Sequence, residues 1–136
     1  MSTLKVNTLQ NTSAAHSSTP EQIAQGRAKC WFSYDGINES INDSFGISSI
    51  SDGGTGRFQV NFSTSFANTN YCYTTGHTPA SNNDTNIILM HQANGGTVGT
   101  SMTAKTASAI GFITIRASDN SGQDTDDSSA AFFGDQ

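Results

Sequence analysis

Basic residues are scarce in this chain: six Lys and Arg among 136 residues, scattered singly against eleven Asp and Glu, for a net charge of −5. No positive stripe is available to neutralise phosphates or anionic headgroups, which excludes nucleic acid and charged lipid surfaces as expected partners. Long apolar runs are missing too. The stretch Ile87-Ile88-Leu89-Met90 is among the longest, where a bilayer crossing takes about 20 residues. The N-terminus lacks the apolar segment of a secretory signal, so the expectation is a soluble chain made in the cytosol. Cysteine is limited to Cys30 and Cys72, which rules out a disulfide framework. Both sit beside aromatics, in Cys30-Trp31-Phe32 and Tyr71-Cys72-Tyr73, and are expected as reduced thiols packed in the core.

Catalytic groups are equally sparse. The three histidines, His16, His77 and His91, have no motif around them, and Gly-x-Ser-x-Gly is absent. Only Glu21 and Glu39 are glutamates, and Asp35-Gly36, Asp43-Ser44 and Asp52-Gly53 read as turn pairs in which Asp accepts backbone hydrogen bonds. The expectation is a protein without enzymatic activity, cofactor or metal. Asp119, Asn120 and the run Asp124-Thr125-Asp126-Asp127 offer hard oxygen ligands of the kind Ca²⁺ takes, but their spacing fits no EF-hand loop, and a solvated acidic loop is expected. Gly53-Gly54-Thr55-Gly56 lacks the Lys-Ser/Thr of a phosphate-binding loop and precedes a strand pattern, so it reads as a turn.

What the chain does contain is uncharged and polar: Ser, Thr and Asn supply 48 of its residues, with 13 Gly besides. Low charge argues against solvated disorder, which pairs weak hydrophobicity with high net charge. The length suits one folding unit. With only 34% apolar residues to bury, the chain is expected to gain stability from partner subunits.

Residues 1–27 differ from the rest and read as an assembly arm. The stretch Leu4-Lys5-Val6-Asn7-Thr8-Leu9 is extended, and Thr19-Pro20-Glu21-Gln22 combines an N-cap, a proline at the first helical position and a glutamine three residues after the cap. Gly26 limits that helix to about two turns, too short to stand without a docking surface. From residue 28 the period becomes two. Arg57-Phe58-Gln59-Val60-Asn61-Phe62-Ser63 alternates without a break, and residues 46–63 read as a hairpin turning at the glycines. Further strands are expected at 29–34, 70–75, 86–92, 98–106, 110–117 and 129–134, with loops at 76–86 and 118–128. About eight short strands and no second helix predict an all-β protein: an antiparallel, jelly-roll-like β-sandwich at 28–136 behind an arm with one short helix. Trp31, Tyr34, Tyr71 and Tyr73 are the candidates for a carbohydrate-stacking platform, although strands of a small sandwich usually turn such residues into the core.

Taken together, the chain resembles the small β-rich, tail-fibre-like virion structural proteins of marine bacteriophages, including cyanophages. The likeness is carried by residues 2–13, by Ser18-Thr19-Pro20-Glu21-Gln22-Ile23 and Gly26-Arg27-Ala28-Lys29, and by residues 43–52 with Gly54-Thr55-Gly56. It extends through Phe58-Gln59-Val60-Asn61-Phe62-Ser63-Thr64 and Ala131-Phe132-Phe133-Gly134-Asp135 and is weak between 75 and 128. The resemblance implies a virion component of the tail or adsorption apparatus, trimeric and without a chemical step. In that setting Leu4, Val6, Leu9 and Ile23 are expected to bury apolar area against another copy or another virion protein. The loop residues His77, Asn82, Asn83, Asp84, Asp119, Asn120 and Asp124 are expected to face solvent or a host receptor. A capsid cement or decoration protein using the same arm is the alternative within virion proteins. A carbohydrate-binding module for host-surface glycans is the alternative from another class.

Overall fold

A computed structural model describes residues 5–10, 17–79, 87–91 and 104–136. Alternation of large apolar and small polar residues gives strands with one buried face: Cys30–Asp35 (β3) buries Cys30, Phe32 and Tyr34, and Arg57–Phe62 (β6) buries Phe58, Val60 and Phe62. The remaining body strands are Ser40–Phe45 (β4), Ile47–Asp52 (β5), Cys72–Pro79 (β7), Ile87–His91 (β8), Ala109–Arg116 (β9) and Thr125–Phe133 (β10). They form two antiparallel four-stranded sheets, ordered β4-β3-β10-β7 and β5-β6-β9-β8. The chain is all-β, an antiparallel sandwich with one short helix.

The core between the sheets is aromatic. Phe32, Phe58, Phe62, Phe66, Phe112 and Phe132 join Tyr34 and Tyr71 in one cluster with Cys30, Val60, Ile110 and Ala130. Phe58 and Phe112 stack at 5.6 Å and Phe66 and Tyr71 at 4.3 Å, while Phe62 meets Phe132 edge-on at 5.0 Å. Each such ring buries about 150–250 Å², so few apolar residues close a sandwich that aliphatic side chains in the same number would leave thin.

Sequence and structure part company in several places. β4 was not expected; its Ser40-Ile41-Asn42-Asp43-Ser44-Phe45 does not alternate, because its pairing with β3 slips by one residue between Ser33 and Tyr34. In the opposite direction, of the strand expected at 98–106, residues 98–103 lie outside the described segments. Residues 104–106 belong to no strand; there Thr106 Oγ1 accepts from Ala109 N at 3.0 Å and ties the approach to β9. β7 runs on through residues 76–79, and β10 begins at Thr125, so the loops expected at 76–86 and 118–128 each surrender residues to a strand. Cys30 is buried as expected, but Cys72 is exposed; both are free thiols. Cys72 pairs with Phe133, whose side chain lies on the outer face of its sheet, so the alternation turns Cys72 outward while Tyr71 and Tyr73 pack inward.

Ahead of the body, Leu9–Gln10 (β1) and Ser17–Ser18 (β2) form a short antiparallel ladder where an extended arm was expected. The helix Pro20–Gly26 (α1) then starts on a complete capping box: Gln22 N donates to Thr19 Oγ1 at 3.1 Å, and Thr19 N donates to Gln22 Oε1 at 2.9 Å.

Candidate functional site

Among the described residues, the large apolar side chains that stay exposed fall in two places. Val6, Leu9 and Ile23 leave 41%, 58% and 44% of their surface in solvent along the arm. Ile37, Ile41 and Phe45 leave 48%, 41% and 59% along the β3–β4 turn and β4 itself. Leu4, expected to act with the arm residues, lies outside the described segments. α1 contributes no buried residue, and its visible tie to the body is polar, Gln25 Nε2 donating to Asp135 Oδ1 beside a cavity of about 290 Å³. The second group was missed in the sequence. Its spacing, Ile37, Ile41 and Phe45 at intervals of four, fits one face of a regular strand as well as a helix face, and the β-bulge, which sends Ile41 and Phe45 to opposite faces, left no signal in the sequence.

The residues expected to face a receptor fall in different elements where the structure describes them. His77 is exposed but stands in β7, paired with Ser128, so its place in a loop is corrected to a strand. Asn82, Asn83 and Asp84 lie outside the described segments. Asp119 and Asn120 are exposed in the turn after β9, where Asp119 accepts from Ser121 N at 3.1 Å and from Ser121 Oγ at 2.7 Å. Those two hydrogen bonds, and then the nearby Arg116 guanidinium at 3.2 Å, hold the Asp119 carboxyl below the usual carboxylate range. Asn120 takes a positive φ of 58°, a backbone state that Asn tolerates in turns.

Asp124, expected to face solvent or a receptor, stands in the connection just before β10. It is half-buried and accepts from Gly56 N at 2.7 Å, which fastens the β5–β6 turn to the β9–β10 connection. Thr114 Oγ1 completes the same join by donating to Gln123 O at 2.6 Å or to Gly56 O at 3.2 Å. The acidic loop therefore works as a structural clasp. Among the described residues no group of three or more His, Cys, Asp or Glu side chains converges to hold a metal ion.

A third feature lies on the outer face of the β4-β3-β10-β7 sheet. A shallow groove of about 350 Å³ is lined by Trp31, Thr74, Thr75, Gly76, Ser129 and Ala131. Gly76 opens it, since a Cβ there would stand 3.1 Å from Ser129 Oγ. One step along the sheet Ser33 Oγ donates to Asp127 Oδ1 at 2.6 Å, with Asn42 Nδ2 donating to Ser33 Oγ at 3.3 Å. Of the four aromatics named for a stacking platform, Tyr34 and Tyr71 are buried in the core and Tyr73 packs against it; Trp31 alone borders this groove.

Comparison of the chain with protein-family models, with curated proteins and with solved structures finds no match.

Proposed function

We propose that the chain is a non-enzymatic structural protein of a phage virion, belonging to the tail or adsorption apparatus, and that it assembles through residues 1–27. The observation that carries this reading is the exposure of Val6, Leu9 and Ile23 on a segment whose described residues give the core nothing. Burying a large apolar side chain is worth about 1.5–3 kcal/mol, so three of them left in water, Leu9 on a two-residue strand, Ile23 on a seven-residue helix and Val6 ahead of both, favour a partner surface. The virion setting draws its support from the resemblance carried by residues 1–64 and by the C-terminal strand.

Size-exclusion chromatography with light scattering tests it. The expected result is an oligomer, a trimer if the resemblance holds, that becomes a monomer when Val6, Leu9 and Ile23 are all changed to Lys. An oligomer indifferent to those changes overturns the reading. Antibody labelling of particles then separates a tail component from a capsid decoration protein.

A second reading, glycan binding, is favoured by the Trp31 groove: an indole in a mostly apolar lining, with Thr74, Thr75 and Ser129 beside it, offers a stacking surface and a few hydrogen-bond partners to a sugar ring. Trp31 is the single tryptophan of the chain, so a bound saccharide is expected to shift its fluorescence. A glycan array with no response, together with unshifted emission, removes this reading.

A further inference from the structure

β4 lies at the edge of its sheet, and among the described residues only β3 pairs with it, leaving one side of its backbone without a ladder partner. An open edge that also carries apolar side chains is a template for another strand. Natural edges are usually blunted by Lys or Pro, yet residues 35–45 hold neither; their charged residues are Asp35, Glu39 and Asp43. Residues 5–9 have the opposite character, with Lys5 as their one charge. Arm and edge are thus complementary in charge as well as in apolar exposure.

Their geometry also agrees. Phe45 pairs with Trp31 and Ile41 with Tyr34, and because those two β3 residues are three apart their side chains lie on opposite faces of the sheet. The bulge therefore sends Phe45 to the outer face and Ile41 to the inner one. Val6 and Leu9, also three apart, point to opposite faces of any extended strand they form. The β1–β2 ladder, two residues on each side, is too short to be stable alone and needs a sheet to join.

We infer that the arm of one copy adds as a strand to the open β4 edge of a second copy, setting Val6 and Leu9 against Ile41 and Phe45. This inference rests on the assembly-arm reading above and names the surface that receives the arm. The contact is head-to-tail, because each copy gives an arm and receives one at a different place, so a closed ring pairs every copy's β4 edge.

Two full-length variants test it: an arm variant, Val6→Lys with Leu9→Lys, and an edge variant, Ile41→Lys with Phe45→Lys. Each is expected to be a folded monomer by light scattering and circular dichroism. Mixed in equal amounts they are expected to form a heterodimer, since one retains an intact edge and the other an intact arm. An edge variant that keeps the full oligomer while the arm variant loses it overturns this inference and leaves the assembly reading standing. An arm variant that stays oligomeric also overturns this inference, and the variant with Ile23→Lys added decides the assembly reading. A mixture that remains monomeric overturns the head-to-tail pairing. Should the edge variant fold poorly, Leu9→Cys combined with Ile41→Cys or with Phe45→Cys, in a Cys72→Ser background, gives an independent measurement. Inter-chain disulfides under mild diamide oxidation are expected from one pair, and their absence from both counts against the inference.

Discussion

Single residues decide where this sandwich can bend. Gly56 has φ near +70°, and a Cβ at that position would collide with Gln123 N and Thr114 O, which are hydrogen-bonded to each other at 3.0 Å beside the Asp124 clasp. Gly56→Ala is therefore expected to lower stability by about 1–3 kcal/mol, read as a lower urea midpoint with an unchanged slope. The turn was legible in Gly53-Gly54-Thr55-Gly56. Its second role, as the seat for Asp124, was not, because the partner stands 68 residues away in sequence. The cysteines teach the same lesson at shorter range. Both have aromatic neighbours, but Cys30 sits on the inward phase of β3 and Cys72 on the outward phase of β7, and only the register tells the two phases apart.

At the scale of elements, α1 was the most legible because its signals are local. Thr19, Pro20 and Gln22 satisfy the helix start within four residues, and Gly26 closes it. Thr19→Ala removes the oxygen that accepts from Gln22 N and should weaken the helix by about 1 kcal/mol. Because α1 contributes no buried residue, the melting temperature of the body is expected to stay put while the proposed oligomer dissociates at higher protein concentration. Calorimetry and light scattering on the same sample separate the two effects. β4 is the opposite case. Its bulge breaks the alternation that marks β6 so plainly, and the element was invisible until β3 supplied its register.

For the whole molecule, burying titratable groups in an aromatic core sets an alkaline limit. Burial pushes the Cys30 thiol from 9.0 up to about 12. Burial first, then the charges of Asp52, Glu39, Asp124 and Asp35, pushes the Tyr34 hydroxyl from 10.0 up to about 12. Tyr71 is displaced in the same direction, mainly by burial. Above pH 9 the unfolded chain gives up these protons before the folded one does, so the folded state binds more protons and stability falls as pH rises. Denaturation midpoints are expected to hold steady from neutral pH to pH 9 and to decline steadily from there toward pH 12. A Cys30→Ala variant should show a shallower decline at its onset, since that thiol has the lowest ordinary value of the three.

By itself the sequence determined the class of fold, the short capped helix, the β5–β6 hairpin and the polar, weakly charged surface, because each depends on neighbours a few residues apart. It also marked Val6, Leu9 and Ile23 as apolar residues in a segment with little else to bury. Tertiary structure alone decided which strands lie side by side, that Asp124 serves a clasp, and that Ile41 and Phe45 stand on an open edge. Those outcomes depend on register and on contacts across the sheet, where a slip of one residue exchanges the two faces of a strand.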